Sequence, residues 1–204
     1  MIEIFSHRAI FEGKENSLFG IEKNLKSGFN IEIDVRKFDS KIYLSHDQKN
    51  NSDKMELFEN ACEIIKNYTK KVAIHVKEDF NLEVLEELIL KYDIGKKCFI
   101  FSTFEKEINV EHLDIGKYQN EQKNISNVKI LWCDESKGKW YDGKIFSDNK
   151  KNNVLTITMS RELLMKSSFE DIKNEWKRLI KLGTGGICTD HPNELKMFLS
   201  EELQ

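Results

Sequence analysis

The amino-acid sequence predicts an α/β fold: a single, compact (β/α)8 TIM barrel over residues 1–204, lacking a large insertion. Three observations predict it. Strand-like and helix-like stretches alternate along the chain. The strand-like stretches are short apolar runs without strict alternation, the pattern of a parallel sheet covered by helices. About eight such units fit into 204 residues, near the lower limit of the roughly 200–250 residues of such barrels. An open doubly wound sheet is the alternative, but no G-x-G-x-x-G follows the first strand, which removes the usual dinucleotide signal.

Residues 2–6, IEIFS, read as a strand ending at His7-Arg8. Asn16-Ser17 can cap the next helix, whose Leu18, Phe19, Ile21 and Leu25 make an apolar face and which Gly28 terminates. Strands follow at 30–35 and about 41–45, then a helix from Met55 to about Tyr68. Residues 71–77 form a strand, NLEVLEELILKYDIG a helix, and 97–104 an apolar strand. A weaker strand is expected near Ile115–Gln119, and a firm one at 128–135. Residues 136–152 are polar and in part helical. Residues 153–160 are a strand. The helix after Ser168 carries Phe169, Ile172, Trp176, Leu179 and Ile180 on its apolar face and ends at Gly183. GGICTDHP is a final strand and NELKMFLSEEL a final helix.

Composition narrows the function classes. Hydrophobic residues make up 39% and charged residues 33%, which suits a globular protein with a core. A net charge of −3 leaves no electrostatic footprint for nucleic acid or an anionic membrane surface. No apolar run approaches a membrane span, and MIEIFSH lacks the pattern of a signal peptide, so a cytoplasmic protein without stable membrane insertion is expected. Cys62, Cys98, Cys133 and Cys188 form no C-x-x-C, which argues for buried thiols rather than zinc or a disulfide framework.

A barrel places its active residues at the C-terminal ends of strands. His7-Arg8 end the first. Glu32 and Asp34 lie one residue apart on the second, so their carboxylates share a face while Ile31, Ile33 and Val35 share the other. His46-Asp47 follow just beyond. His75 and Lys77 end the third on one face, and Asp134-Glu135 end the sixth. Taken alone, Glu-x-Asp is more often a pair of solvated acids, and a single histidine is more often structural. It is the coincidence of three histidines and two acids in successive units that points to a hard-metal site with an acid/base group beside it. His112 and His191 lie elsewhere and read as structural, and Asp190 as a turn or cap residue.

These residues resemble the signature of the glycerophosphodiester phosphodiesterase family, within the phosphatidylinositol-phospholipase-C-like superfamily. The resemblance rests on His7-Arg8, Glu15-Asn16, Glu32-x-Asp34 and His46-Asp47. IHVK at 74–77, FIFSTF at 99–104 and GGICTDHP at 185–192 add to it. It implies a (β/α)8 fold, a place in lipid metabolism, and hydrolysis of a small phosphodiester with one divalent cation, Mg²⁺ or Ca²⁺ first and Mn²⁺ as the alternative. It implies His7 and His46 as the catalytic pair and Glu32 and Asp34 as metal ligands. Arg8 and Lys77 face the phosphate, and Glu15, Asn16 and Asp47 support the site. It further implies that a glycerol hydroxyl can attack first, giving a cyclic phosphate that water then opens.

Three departures from the family pattern stand out. Ala9 occupies a position usually held by glycine. His75 stands where many members have a third acidic ligand; it is a third candidate ligand, and its nitrogen either weakens Mg²⁺ and Ca²⁺ or admits Mn²⁺. Residues 48–54 lead almost directly into the next helix, so the inserted subdomain of many members is missing and the site is more open. Gln119, Asp134 and Glu135, with Lys117, are candidates for the mouth; Gln119 and Lys117 read first as solvated strand ends. The alternatives to a phosphodiesterase are a non-catalytic phosphate-binding homologue and a phospholipase-like enzyme, which would need an apolar rim to which Trp140-Tyr141 could contribute. The oligomeric state is not encoded in these signals.

Overall fold

The computed structural model describes residues 2–48, 55–104, 108, 110–123 and 128–202. Among these residues the strands are β1 (Glu3–Ser6), β2 (Asn30–Phe38), β3 (Lys41–Leu44), β4 (Glu56–Leu57), β5 (Val72–Val76), β6 (Cys98–Ser102), β7 (Asp114–Gln119), β8 (Ile130–Cys133), β9 (Leu155–Met159) and β10 (Gly186–Thr189). The helices are α1 (Leu18–Lys26), α2 (Phe58–Ile65), α3 (Glu83–Lys91), α4 (Gly143–Lys151), α5 (Phe169–Leu182) and α6 (Pro192–Glu202). The sheet order is β1-β10-β9-β8-β7-β6-β5-β2-β3-β4. The first eight in that order form the closed, parallel (β/α)8 TIM barrel, and β3 and β4 extend β2 as antiparallel strands. No described helix is long and apolar enough to cross a membrane.

The chain divides into two compact units, His7–Ile115 and Met1–Ser6 with Gly116–Gln204. In the first, the outward faces of β2 and β5 bury Ile31, Ile33, Val35, Val72, Ile74 and Val76 against α1, α2 and α3. The Ser17 side chain accepts the Gly20 N–H to start α1, and Ile21 and Leu25 are buried beneath it. In the second, Trp176 is wholly buried among Leu179, Ile187 and Phe198, and its Nε1 donates to Ser160 Oγ at 2.8 Å. A capping box of Ser168 and Asp171 starts α5, and Gly183 ends it in the left-handed region at φ 90°. All four cysteines are buried and unbridged. Burial pushes the Cys62 thiol up to about 12, so it stays protonated and is a poor metal ligand.

Several sequence expectations need correction. The helix expected from Met55 starts at Phe58, because Glu56 and Leu57 pair with β3 as β4 (Leu44 opposite Glu56, Tyr43 opposite Leu57). The strand expected at 30–35 runs on to Phe38, because residues 35–38 find partners in β3 once they leave the barrel. Phe19 and Phe169 are not core residues: they are 42% and 41% exposed. Phe19 lies edge-on to Phe11, and Phe169 to Trp176 and His191. The polar 136–152 stretch contains α4, started by the Asp142 side chain accepting the Ile145 N–H. Among the described residues, the connections after β6 and after β7 contain no helix.

Candidate active site

The site is built on β2. Its side chains alternate, so Glu32 and Asp34 point away from the aliphatic core, and both are nevertheless almost wholly buried, at 2% and 1% exposure. β5 runs parallel beside it with His75 opposite Asp34. His75 Nδ1 lies 3.2 Å from Asp34 Oδ1 and 3.6 Å from Glu32 Oε1. The imidazole stacks on Phe101 of β6, with centroids 4.5 Å apart and planes 18° apart. Among the described residues its buried Nε2 meets no hydrogen-bond partner. Lys77, two residues on and on the same face, brings Nζ to 3.7 Å from Asp34 Oδ1.

The turn after β1 supplies the next group. His7, Arg8 and Ala9 form a 310 turn, and Arg8 and Ala9 both have positive φ, 49° and 46°. The left-handed region costs an L-residue roughly 1–2 kcal/mol, so two in succession need external support. Asn24 Nδ2 donates to the carbonyls of Ala9 and Ile10, each at 3.1 Å. Gly20 lets α1 approach: a Cβ there would stand 2.3 Å from the Ala9 carbonyl oxygen. The reward is at Arg8. Its backbone N–H donates to Glu32 Oε2 at 2.8 Å, and its Nη1 to Glu15 Oε2 at 2.8 Å. Its Nε lies 3.4 Å from Asp34 Oδ2, an ion pair without hydrogen-bond geometry. Ala9 thus holds the conformation glycine adopts most cheaply.

Asn16 is buried and clamps Asp34 at both ends. Its Nδ2 donates to Asp34 Oδ2 at 3.0 Å, and its Oδ1 accepts the Asp34 N–H at 2.9 Å. His7 is half-buried at the head of the turn, its carbonyl accepting the Ile10 N–H. His46 arrives by another route. The hairpin turns at Asp39, φ 52°, and β3 runs back along β2 until Leu44 lies opposite Val35. The Ser45 N–H then donates to the Asp34 carbonyl at 3.1 Å. His46 follows, half-exposed, with Nδ1 2.7 Å from Asp47 Oδ1.

Charge is nearly balanced within this cluster. Burial disfavours the Asp34 carboxylate, but the hydrogen bond and charge of His75, with Lys77 and Asn16, outweigh it and hold the acid well below the usual carboxylate range. Burial likewise opposes charge on His75, and the neighbouring Asp34 and Glu32 carboxylates prevail, raising its pKa above that of an ordinary histidine. The raised His75 contributes stability that is complete below its unfolded value of about 6.5 and is lost as pH climbs through the folded value. The depressed Asp34 contributes stability present above about 4 and lost as pH falls through its folded value. Metal-free protein is therefore expected to gain most from this pair between about pH 4 and 6.5. Urea melts across pH in chelator would show it, and His75→Phe should flatten the alkaline limb.

Glu32, Asp34 and His75 can each offer one ligand atom, all within 4.8 Å of one another. Ligands cis to one another on an octahedral ion at 2.1–2.3 Å stand about 3.0–3.3 Å apart, close to the separations around His75 Nδ1. Two carboxylates and an imidazole thus fit a divalent cation. The donor set has one nitrogen, and Asn16 and the Arg8 N–H already orient the oxygens that face away from His75.

The remaining sequence candidates have other engagements in the second unit. Gln119 is buried and donates to the Lys123 carbonyl at 3.1 Å, and Lys117 is exposed. Asp134 accepts the Tyr118 hydroxyl at 2.8 Å and has Trp140 Nε1 on its carbonyl. Glu135 pairs with Arg178 of α5, which also bonds Glu175. Trp140 and Tyr141 pack into that unit's core rather than forming an apolar rim. Sequence reasoning missed Asn24, Arg36 and Glu78. Asn24 sits within the α1 pattern, where a buried asparagine is the one anomaly that could have flagged it.

No family model matches the sequence, and no curated protein matches it. Solved structures do match in three dimensions. A glycerophosphodiester phosphodiesterase from Parabacteroides distasonis superposes with a TM-score of 0.76 at 14% identity, covering 100% of this chain and 98% of that one. A second from the same organism gives 0.74 at 16%, covering 98% and 87%. One from Agrobacterium tumefaciens gives 0.69 at 16%, covering 94% and 98%. At these identities the likeness is one of fold, and over nearly its whole length this chain has the fold of the glycerophosphodiester phosphodiesterases.

Proposed function

We propose that the protein is a metal-dependent phosphodiester hydrolase of the glycerophosphodiester phosphodiesterase family, acting on a small glycerophosphodiester-like substrate. The observation that carries this reading is the buried Glu32–Asp34–His75 cluster with Arg8 and Lys77 both within 4 Å of Asp34. Two carboxylates suit a cation, and two fixed cations beside them suit a phosphate. A bound divalent ion would supply Lewis-acid stabilisation of the phosphoryl oxygens. Arg8 and Lys77 would stabilise the same oxygens as charge gathers on them, with Glu15 fixing the Arg8 fork. His46, with Nδ1 on Asp47, has Nε2 to exchange a proton with substrate, and His7 is its partner. One takes the proton of the attacking hydroxyl or water; the other protonates the departing alkoxide. With a neighbouring glycerol hydroxyl as nucleophile, the first product is a cyclic phosphate and a free alcohol, and water then opens the ring.

The test is a panel of glycerophosphodiesters followed by phosphorus NMR, after EDTA treatment and with Mg²⁺, Ca²⁺ or Mn²⁺ restored. Turnover that returns with metal supports the reading, and a transient cyclic-phosphate resonance supports the two-step route. Phosphate binding without turnover under any metal would leave a non-catalytic homologue instead.

A further inference from the structure

Arg36 and Glu78 belong to no motif, yet they join three segments that carry proposed catalytic groups. Arg36 lies on β2 beyond the barrel, and its side chain is 18% exposed. Its Nε donates to the His46 carbonyl at 3.0 Å, and its Nη1 to Glu78 Oε2 at 2.9 Å. The other oxygen of Glu78 accepts the Lys37 N–H at 2.8 Å. Glu78 directly follows Lys77, whose own N–H donates to the Val35 carbonyl at 3.1 Å. One partly buried ion pair thus ties the exit of β5, the extension of β2 and the loop holding His46.

Other bonds in that loop hold the residues on either side of His46. The Ser45 N–H reaches the Asp34 carbonyl, and the Ser45 hydroxyl bonds the Asp47 carbonyl at 2.7 Å. Both bonds act on its neighbours. The Arg36 bond acts on the peptide of His46 itself, so it fixes the backbone from which the imidazole projects. An acid/base group must sit within hydrogen-bond reach of its proton, and a misplacement of about 1 Å can cost 10²-fold in rate. A guanidinium can bond a carbonyl and a carboxylate at once in a fixed plane, whereas an ammonium cannot reproduce that geometry.

We infer that Arg36, held by Glu78, is a positioning residue for His46, setting the imidazole against the site formed by Asp34 and Lys77. The inference rests on the proposed acid/base role of His46. Arg36→Ala should lower kcat by about 10- to 100-fold with little change in KM. Glu78→Gln should do the same more weakly, because an amide oxygen still accepts one of the two bonds. Arg36→Lys should recover only part of the loss.

The deciding measurement is a double-mutant cycle on glycerophosphodiester hydrolysis, with the His46 imidazole titrated by NMR in parallel. If Arg36 acts through His46, Arg36→Ala costs nothing further in a His46→Ala background, and in wild-type background it shifts the His46 titration and broadens its resonance. If Arg36→Ala leaves kcat and the His46 titration unchanged, or costs as much without His46 as with it, the inference is overturned. A wild-type protein that hydrolyses no diester overturns the proposed activity instead. The NMR titration then still decides whether Arg36 positions His46.

Discussion

Replacing His46 by alanine is expected to lower kcat on a glycerophosphodiester by about 10²–10⁴-fold, the usual contribution of a positioned acid or base. The fold should hardly notice. His46 is half-exposed, its side chain meets Asp47, its loop is anchored through the backbone, and such substitutions usually stay within about 0.5 kcal/mol. His7→Ala should cost a similar factor. If the two work as donor and acceptor in one proton-transfer cycle, the double variant loses far less than the product of the single losses. Steady-state kinetics of the three variants, beside their denaturant melts, would check this. Two independent losses that multiply would show that the histidines do not act as a pair. A loss of stability equal to the loss of rate would show that His46 is structural.

The parts of this site that were legible in the sequence are those encoded by short-range geometry. Glu32 and Asp34 have one residue between them on an apolar strand, so period-two alternation alone places them on one face. His75 and Lys77 were legible for the same reason. The barrel is legible because strands such as β6 and β8 are buried along their length and read as plain apolar runs, whereas β7, with Asp114 and Lys117 exposed, reads weakly. Arg36 and Glu78 were not legible, because they are separated by 42 positions and meet only through the parallel pairing of β2 with β5. The start of α2 was misread because Met55, Leu57 and Phe58 satisfy helical spacing, while the pairing that makes Glu56 and Leu57 a strand depends on β3. The exposure of Phe19 was invisible for a related reason: its partner Phe11 comes from the hairpin between β1 and α1. The left-handed conformation of Ala9 is not legible either, because its support comes from Asn24 and Gly20 of α1.

The third side of the proposed metal site gives the second large expected effect. His75 offers a nitrogen where an oxygen would suit Mg²⁺ and Ca²⁺ better, so Mn²⁺ gains relative to both. His75→Glu should reverse that bias, tightening Ca²⁺ and Mg²⁺ by about tenfold or more as ligand charge rises. It should also exact a cost that metal removes. In the metal-free variant a third carboxylate would face Glu32 and Asp34 in place of the imidazole that now lies against both, with Arg8 and Lys77 left to balance all three. Loss of one member of a buried charged set commonly costs about 3–5 kcal/mol, and saturating Ca²⁺ should restore most of it through binding to the folded state alone. Denaturant melts with and without Ca²⁺ would measure both effects, and calorimetry the affinities. Pulsed EPR of the Mn²⁺ forms adds a readout independent of turnover: nitrogen coupling is expected in the natural protein and should vanish in His75→Glu. Absence of that coupling in the natural protein, with Ca²⁺ affinity unchanged by the substitution, would remove His75 from the ligand set. The imidazole would then be a resident counter-charge for Glu32 and Asp34, a role its raised pKa and its stacking on Phe101 equally support.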